Sequence, residues 1–430
     1  MADRTSSNAL ALVFGAMAWT VPASAAPPAT SSGKLSTKPA QGTAPGAEAD
    51  DAKASDDSSM EKMDDPVGNW PRISFQTIAN LEAAGMHASD GPGRRFQPYL
   101  RFDSTLLVDV SDRLSFDGLF QFKARQPRPA TDPNRDLFIN QGAGRRVGGK
   151  FKELFTRYET WRVGKFVQNF GRAYVLAPGP FAADFVEEPD EGYEPSEMLG
   201  VEKIHVFDGD KFGWQQLTVS AFMVDRTFLH RSFPYDEGRI RYRDGGIGNT
   251  RYPENIMVTY DVLNAPLGKG AQFSFQASAI RWGKTFGAER REFWTTAGAD
   301  VTIPLTGSVA DTLGGHYSHL HLYAEAAHRA HFKGVAGARR SYLTGSAEVL
   351  YARWQFDLTT TRRWTTDPVL PLRKDRLYTA TLGFNFPSQS LLLLSVADER
   401  VGARHGVYAG LRLQQTLTSC SRCFTRGRAY

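Results

Sequence analysis

The sequence predicts an all-β protein, a transmembrane antiparallel β-barrel of about sixteen strands behind a disordered N-terminal leader. Three observations predict it. From residue 73 onward the polarity of the chain alternates with period two, which gives each strand one apolar and one polar face. The alternating runs are near ten residues long, the length a tilted strand needs to cross a bilayer, where soluble sheets use five or six. The links between runs alternate long and short, as hairpins do when they turn on opposite sides of a membrane.

The N-terminus comes first in the chain. Its one sustained apolar run, Ala9 to Val21, is too short to span hydrocarbon; Arg4 precedes it and Ala23-Ser24-Ala25 follows. A charged start, an apolar middle and a small-x-small end read as a secretory signal peptide over residues 1–25. Residues 26–70 are mostly Ala, Pro, Ser, Thr, Gly, Asp and Lys. Such a segment buries too little apolar surface to offset chain entropy, so it is expected to be a disordered, low-complexity periplasmic leader. A mean hydropathy of -0.38 excludes a bundle of transmembrane helices. Residues 1–70 hold 5 Lys/Arg and 9 Asp/Glu against 51 and 46 in the whole chain, so the body is more basic than the net charge of +5 suggests. The basic residues are scattered among acidic ones with no helical reading unit, which argues against nucleic acid as a partner.

The body, assigned to residues 71–417, then divides in order. The expected strands are 72–81, 97–110, 113–125, 152–159, 161–168, 198–207, 214–225 and 255–263, then 271–281, 292–303, 318–328, 341–351, 353–363, 376–386, 389–397 and 405–417. The third is typical: Leu114, Phe116, Gly118, Phe120 and Phe122 form one face, and Ser115, Asp117, Leu119, Gln121 and Lys123 the other. Short links such as Ser111-Asp112, Thr160, Ala352 and Pro387-Ser388 fall after even-numbered strands. Long ones, 126–151, 169–197 and 226–254 among them, fall after odd-numbered strands. The link 304–317 is longer than this rule expects, and 282–291 only modest. Residues 418–430 are left as a periplasmic tail. Trp161, Trp214, Trp282, Trp294, Trp354 and Trp364 stand at run ends, where interfacial aromatic girdles are expected.

One stretch carries a more specific signal. Trp161-Arg-Val-Gly-Lys-Phe166, then Asn169-Phe-Gly171, then Ala183-Asp-Phe-Val-Glu187 and Leu199-Gly-Val201 resemble the segment of Gram-negative outer-membrane porins in which a loop enters the pore. The layout is similar to the phosphate-selective and related sixteen-stranded porins over some sixty residues, and architectural over the rest. The resemblance implies a cell outer-membrane location, a homotrimer, and a third loop (169–197) folded inward to constrict each bore. It implies a water-filled pore for passive diffusion of small hydrophilic solutes, surrounded by outer-membrane lipid and inserted by the barrel-assembly machinery. Two departures stand out. The expected last strand stops short of the C-terminal aromatic, and the regular pore-facing rows of Arg and Lys that would assign phosphate specificity are not visible.

Parity supplies the candidate pore residues. Arg101, Lys123, Arg125, Arg157, Arg162, Arg363 and Arg412 are expected to face the lumen, opposite Asp184, Glu187, Glu188 and Asp190 of the inward loop. Opposed rows of charge orient dipolar solutes and penalise apolar ones. Asp103, Asp117, Glu159, Asp300, Glu325, Glu348 and Asp357 also point inward by parity, so the lean toward anions is weak. His316, His319, His321, His328 and His331 form the densest histidine group and are expected to be polar lining, with no metal assigned. Cys420 and Cys423 read as a local disulfide in an oxidising compartment. No G-x-S-x-G, phosphate-cradling Gly-rich loop or H-E-x-x-H occurs, so neither an enzyme nor a cofactor is expected. Two other readings remain open: an export pore for a polysaccharide, and a structural or adhesive barrel acting through its loops.

Overall fold

In a computed structural model of the chain, residues 70–421 are described apart from 89–93, 126–145, 178–180, 183–185, 187–192, 196, 208–211, 232–239, 306–317 and 370–371. The signal peptide and leader, Asp184, Glu187, Glu188, Asp190, His316 and Cys423 therefore lie outside the described residues.

Sixteen antiparallel strands close into one barrel in sequence order. They are β1 (Arg72–Ala88), β2 (Arg94–Asp109), β3 (Leu114–Arg125), β4 (Arg146–Tyr158), β5 (Trp161–Phe166), β6 (Met198–Phe207), β7 (Trp214–Val224) and β8 (Asn255–Gly268). The second half comprises β9 (Ala271–Arg281), β10 (Phe293–Pro304), β11 (His319–Ala330), β12 (Arg339–Tyr351), β13 (Trp354–Thr366), β14 (Arg373–Asn385), β15 (Ser390–Val401) and β16 (Arg404–Ser421). Every expected strand has its counterpart. The alternation found them because burial follows it residue by residue. In β13, Trp354, Phe356 and Leu358 are exposed while Gln355, Asp357 and Thr359 are buried. In a soluble protein the apolar set would be the buried one. Here the inside is polar and the outside apolar, as in a barrel that meets lipid.

β1 closes the ring against β16, from Ile73↔Ser421 to Ala88↔Gly406. No strand edge is left to pair with another chain. The last strand is longer than the expected 405–417: it runs on to Ser421, with Cys420 opposite Ser74. The run Thr416-Leu-Thr-Ser419 carries little apolar contrast, so periodicity faded there before pairing did. Glu159 is likewise moved. It sits at φ 50 in the two-residue turn between β4 and β5, exposed and 3.3 Å from Arg113, and does not face the lumen. Ala352 (φ 54) occupies the same place in the turn between β12 and β13. Positive φ at such tight turns matches the twist of the flanking strands. Both turns lie at the end of the barrel that carries the first residue of β1 and the last of β16; the three longest connections, after β3, β5 and β7, lie at the other end, while the link 305–318 after β10 is a long one on the terminal side.

Candidate functional site in the barrel lumen

The longest described connection inside the barrel, residues 167–197 between β5 and β6, carries the lumen's main apolar cluster. Phe170, Ala173, Val186 and Tyr193 are each no more than 1% exposed, packed on inward side chains of β7 to β12 that include Phe222, Ile280 and Trp294, and on Trp282 just past the end of β9. Phe170 lies 5.8 Å from the Trp294 ring, which lies 4.7 Å from Trp282. These two tryptophans are therefore not part of an interfacial girdle. They stand at strand ends as expected but point inward, because the loop gives them an apolar partner there. Trp161 and Trp354 are exposed on the outer face at the terminal end, where girdle residues belong.

Polar contacts fix the same segment to the wall. Glu325 on β11 accepts the backbone N–H groups of Arg172 (2.6 Å) and Ala173 (3.3 Å) and the Tyr193 hydroxyl (2.5 Å). The Arg172 guanidinium donates to Asp300 at 2.8 Å. Asn169 donates to Asp261 (2.9 Å) and accepts from Gln276 (2.9 Å), while Thr259 donates to its carbonyl (2.7 Å). Gly171 is required where it stands. Its φ is +72, and a Cβ would come within 2.9 Å of Tyr193 and 3.0 Å of Glu325. A four-residue helix, α1 (Ala173–Leu176), follows. Beyond it Phe181 reaches another part of the wall and packs with Leu377, Ala397, Val401 and Tyr408 of β14 to β16. The loop thus touches two separate sectors of the lumen and returns, with Tyr193 N–H donating to the Val186 carbonyl.

At its far end the loop meets the connection that follows β7. The Glu197 carboxylate contacts Lys150 and stands 3.5 Å from Lys165, whose ammonium is 3.1 Å from Asp225 and donates to the Leu229 carbonyl at 3.1 Å. Burial would raise the Glu197 carboxyl, but the ammoniums of Lys150 and Lys165 outweigh it and hold it at about 2. Burial pushes His230 below its usual range; Glu197 opposes this, and the two lysines reinforce it.

Of the expected basic residues, Arg101, Arg162, Arg363 and Arg412 all lie on inward faces, and each sits on a carboxylate. Arg101 is 2.5 Å from Asp103, Arg363 donates to Asp375 at 2.8 Å, and Arg412 to Glu82 at 2.8 Å. Arg162 donates to Glu202 through Nε at 2.7 Å, its guanidinium lying over Phe155 and Phe166. Arg157 is half-buried, directly opposite Arg162. Lys123 and Arg125 pair in register with Gly148 and Arg146, but their side chains lie outside the described residues. Asp117, Asp300, Glu325, Glu348 and Asp357 face inward as parity expected. His319 and His321 do too, 3.4 Å from Glu348 and 3.5 Å from Asp300. His328 lies on the outward face, bonded to Ser341. Among the described residues no three metal-ligating side chains converge.

Parity gave Glu325 an inward side chain but did not single out the loop residues that dock on the wall: Phe170, Phe181, Val186 and Tyr193. A signal for them existed. Large apolar residues in a loop otherwise rich in Gly, Pro and acids need something to bury against.

No protein-family model matches the sequence, and no curated protein matches it by sequence. Solved structures do match. The chain is similar to the outer membrane channel DcaP of Acinetobacter baumannii, with TM-score 0.51, 12% identity, and 80% of this chain and 97% of that chain covered. It is also similar to OprB of Pseudomonas putida in its high-pH structure, with TM-score 0.56, 12% identity, and 80% and 94% covered. Likeness at this identity shows a shared fold, the closed barrel of antiparallel strands.

Proposed function

We propose that the chain is a channel of the Gram-negative outer membrane through which small hydrophilic solutes diffuse passively. The observation that carries this reading is the combination of a polar lumen, an apolar exterior and a loop pinned inside the bore. A pore needs a wet wall to replace hydration and a fixed obstacle to set its size. The loop 167–197 is the candidate constriction, and its sequence supplies the acidic residues Asp184, Glu187, Glu188 and Asp190. The wall charges contribute little net selectivity, because Arg101, Arg162, Arg363 and Arg412 are each matched by a carboxylate. At most a weak anion preference is expected, and no phosphate specificity. Insertion by the barrel-assembly machinery and assembly as a homotrimer accompany this reading.

Planar-bilayer recording tests it. Stepwise conductance that grows with salt is expected, with a reversal potential close to zero in a tenfold KCl gradient. Silent insertion would overturn the channel reading in favour of a scaffold. Glu82→Gln should then expose Arg412 and shift the reversal potential toward anions, while Arg412→Gln should shift it toward cations.

A further inference from the structure

The outer face of β13 to β16 carries a feature that permeation does not use. Arg362, Arg376 and Arg400 are directly opposite one another across β13, β14 and β15, and His405 on β16 continues the row. The three arginines are exposed, and all lie on the face that presents Leu358, Val396 and Leu411 nearer the middle of the barrel. Like charges set directly opposite on neighbouring strands repel. One carboxylate, Asp398, sits a step lower on β15; His405 contacts it at 2.7 Å, and Arg376 is 3.8 Å from it. Exposed Lys374, directly opposite Trp364, adds a fourth cation just above. Three guanidiniums and an ammonium against one acid leave an excess that calls for an external anion.

Height decides which anion. On this side the apolar exterior runs from Trp354, packed on Phe384 at the terminal end, up β13 to Trp364. Ten strand residues tilted in a barrel rise about 25 Å, the thickness of the lipid-facing band. The arginine row lies two residues below Trp364, with Tyr378 just inside it, its hydroxyl 3.5 Å from Arg362. That is the headgroup level of the leaflet on the loop side. Guanidiniums bind phosphate in bidentate fashion, and clustered cations at this level recognise anionic headgroups.

We propose that the row Arg362–Arg376–Arg400, with Lys374, is a binding site for the phosphate groups of a phosphorylated glycolipid in the outer leaflet. This rests on the barrel spanning the membrane, and not on its conducting.

The test is native mass spectrometry of the full detergent-solubilised protein titrated with bis-phosphorylated lipid A, with its dephosphorylated form, and with inorganic phosphate. The triple variant Arg362→Gln/Arg376→Gln/Arg400→Gln should retain the phosphorylated lipid at least tenfold less than wild type. Lys203→Gln, which removes an outward cation at the terminal end beside Trp161, should change nothing. Dephosphorylated lipid should bind weakly to all forms, and inorganic phosphate should not displace the lipid. If the triple variant fails to fold, Arg376→Gln alone should give about a threefold loss. Undiminished retention in the variants, equal binding of the dephosphorylated lipid, or saturation by phosphate alone would overturn the proposal. A change in oligomeric state with lipid retention intact would overturn it too, assigning the row to a second copy. Conductance of the triple variant reports on the channel reading separately and is expected to be unchanged.

Discussion

Glu325 receives three donors from one loop, so this carboxylate carries much of the polar hold on the segment from Arg172 to Tyr193. Each bond to a charged acceptor contributes about 1.5–3 kcal/mol. Glu325→Ala should therefore free the segment around Arg172 while leaving the strand ladder whole. The expected readout is a larger and noisier single-channel conductance with little change in the unfolding midpoint. Glu197 makes the other end of the loop depend on pH. Its carboxyl titrates at about 2 in the folded protein against an ordinary 4.5. A depressed value gives stability that is present above 4.5 and lost as pH falls toward 2, worth about 3 kcal/mol. His230 is also depressed from its ordinary 6.5, so protons favour the opened segment over the closed one and stability begins to fall as pH drops below that value. Hydrogen exchange around residues 225–231 should stay slow at pH 7, begin to speed up below 6.5 and speed up further below pH 4.5; exchange independent of pH after correction for the intrinsic rate would contradict this. That Arg101, Arg162, Arg363 and Arg412 share a face with the buried polar residues of their strands follows from alternation, since parity is a property of the strand itself. The carboxylate of Arg101, Asp103 on the same strand face, follows from the same parity, but that of Arg412 does not, because Glu82 meets it only where the first and last strands pair.

The inward loop illustrates what an element needs beyond its own residues. Phe181 is 2% exposed and sits 6.2 Å from the Tyr408 ring, above Gly410. Removing such a buried ring costs about 3–5 kcal/mol of local packing, so Phe181→Ala should release the loop tip and raise conductance. Gly410→Val should act the same way from the wall side, since a Cβ there comes within 2.5 Å of Phe181. A variant of either kind with wild-type conductance would remove the tip from the constriction. The loop's position between β5 and β6 was readable from Trp161 to Val201, and its inward fold was expected from resemblance. Its two docking sectors were not readable, because Trp294 and Leu377 are remote from it in the chain. The two tryptophans misassigned to a girdle show the same limit: strand-end position is local, and the side of the wall that offers an apolar partner is not.

At the scale of the whole barrel, stability comes from a closed ladder and not from an apolar core, so denaturation should be slow and all-or-none. The folded protein should migrate differently from the boiled one on a gel and need detergent to stay dissolved. Deleting residues 27–69 should leave folding and insertion intact, since the ring closes from Arg72 to Ser421 without them; loss of the heat-sensitive form after that deletion would show the segment to be required. Strand number and the placement of most strands along the chain were set by local period-two patterning, which is written into consecutive residues. Only the tertiary structure decided that Glu82 neutralises Arg412, that Glu325 grips the loop, and that Arg362, Arg376 and Arg400 share one row. Those depend on register between strands, and register is a relation between distant segments that no single run of sequence contains.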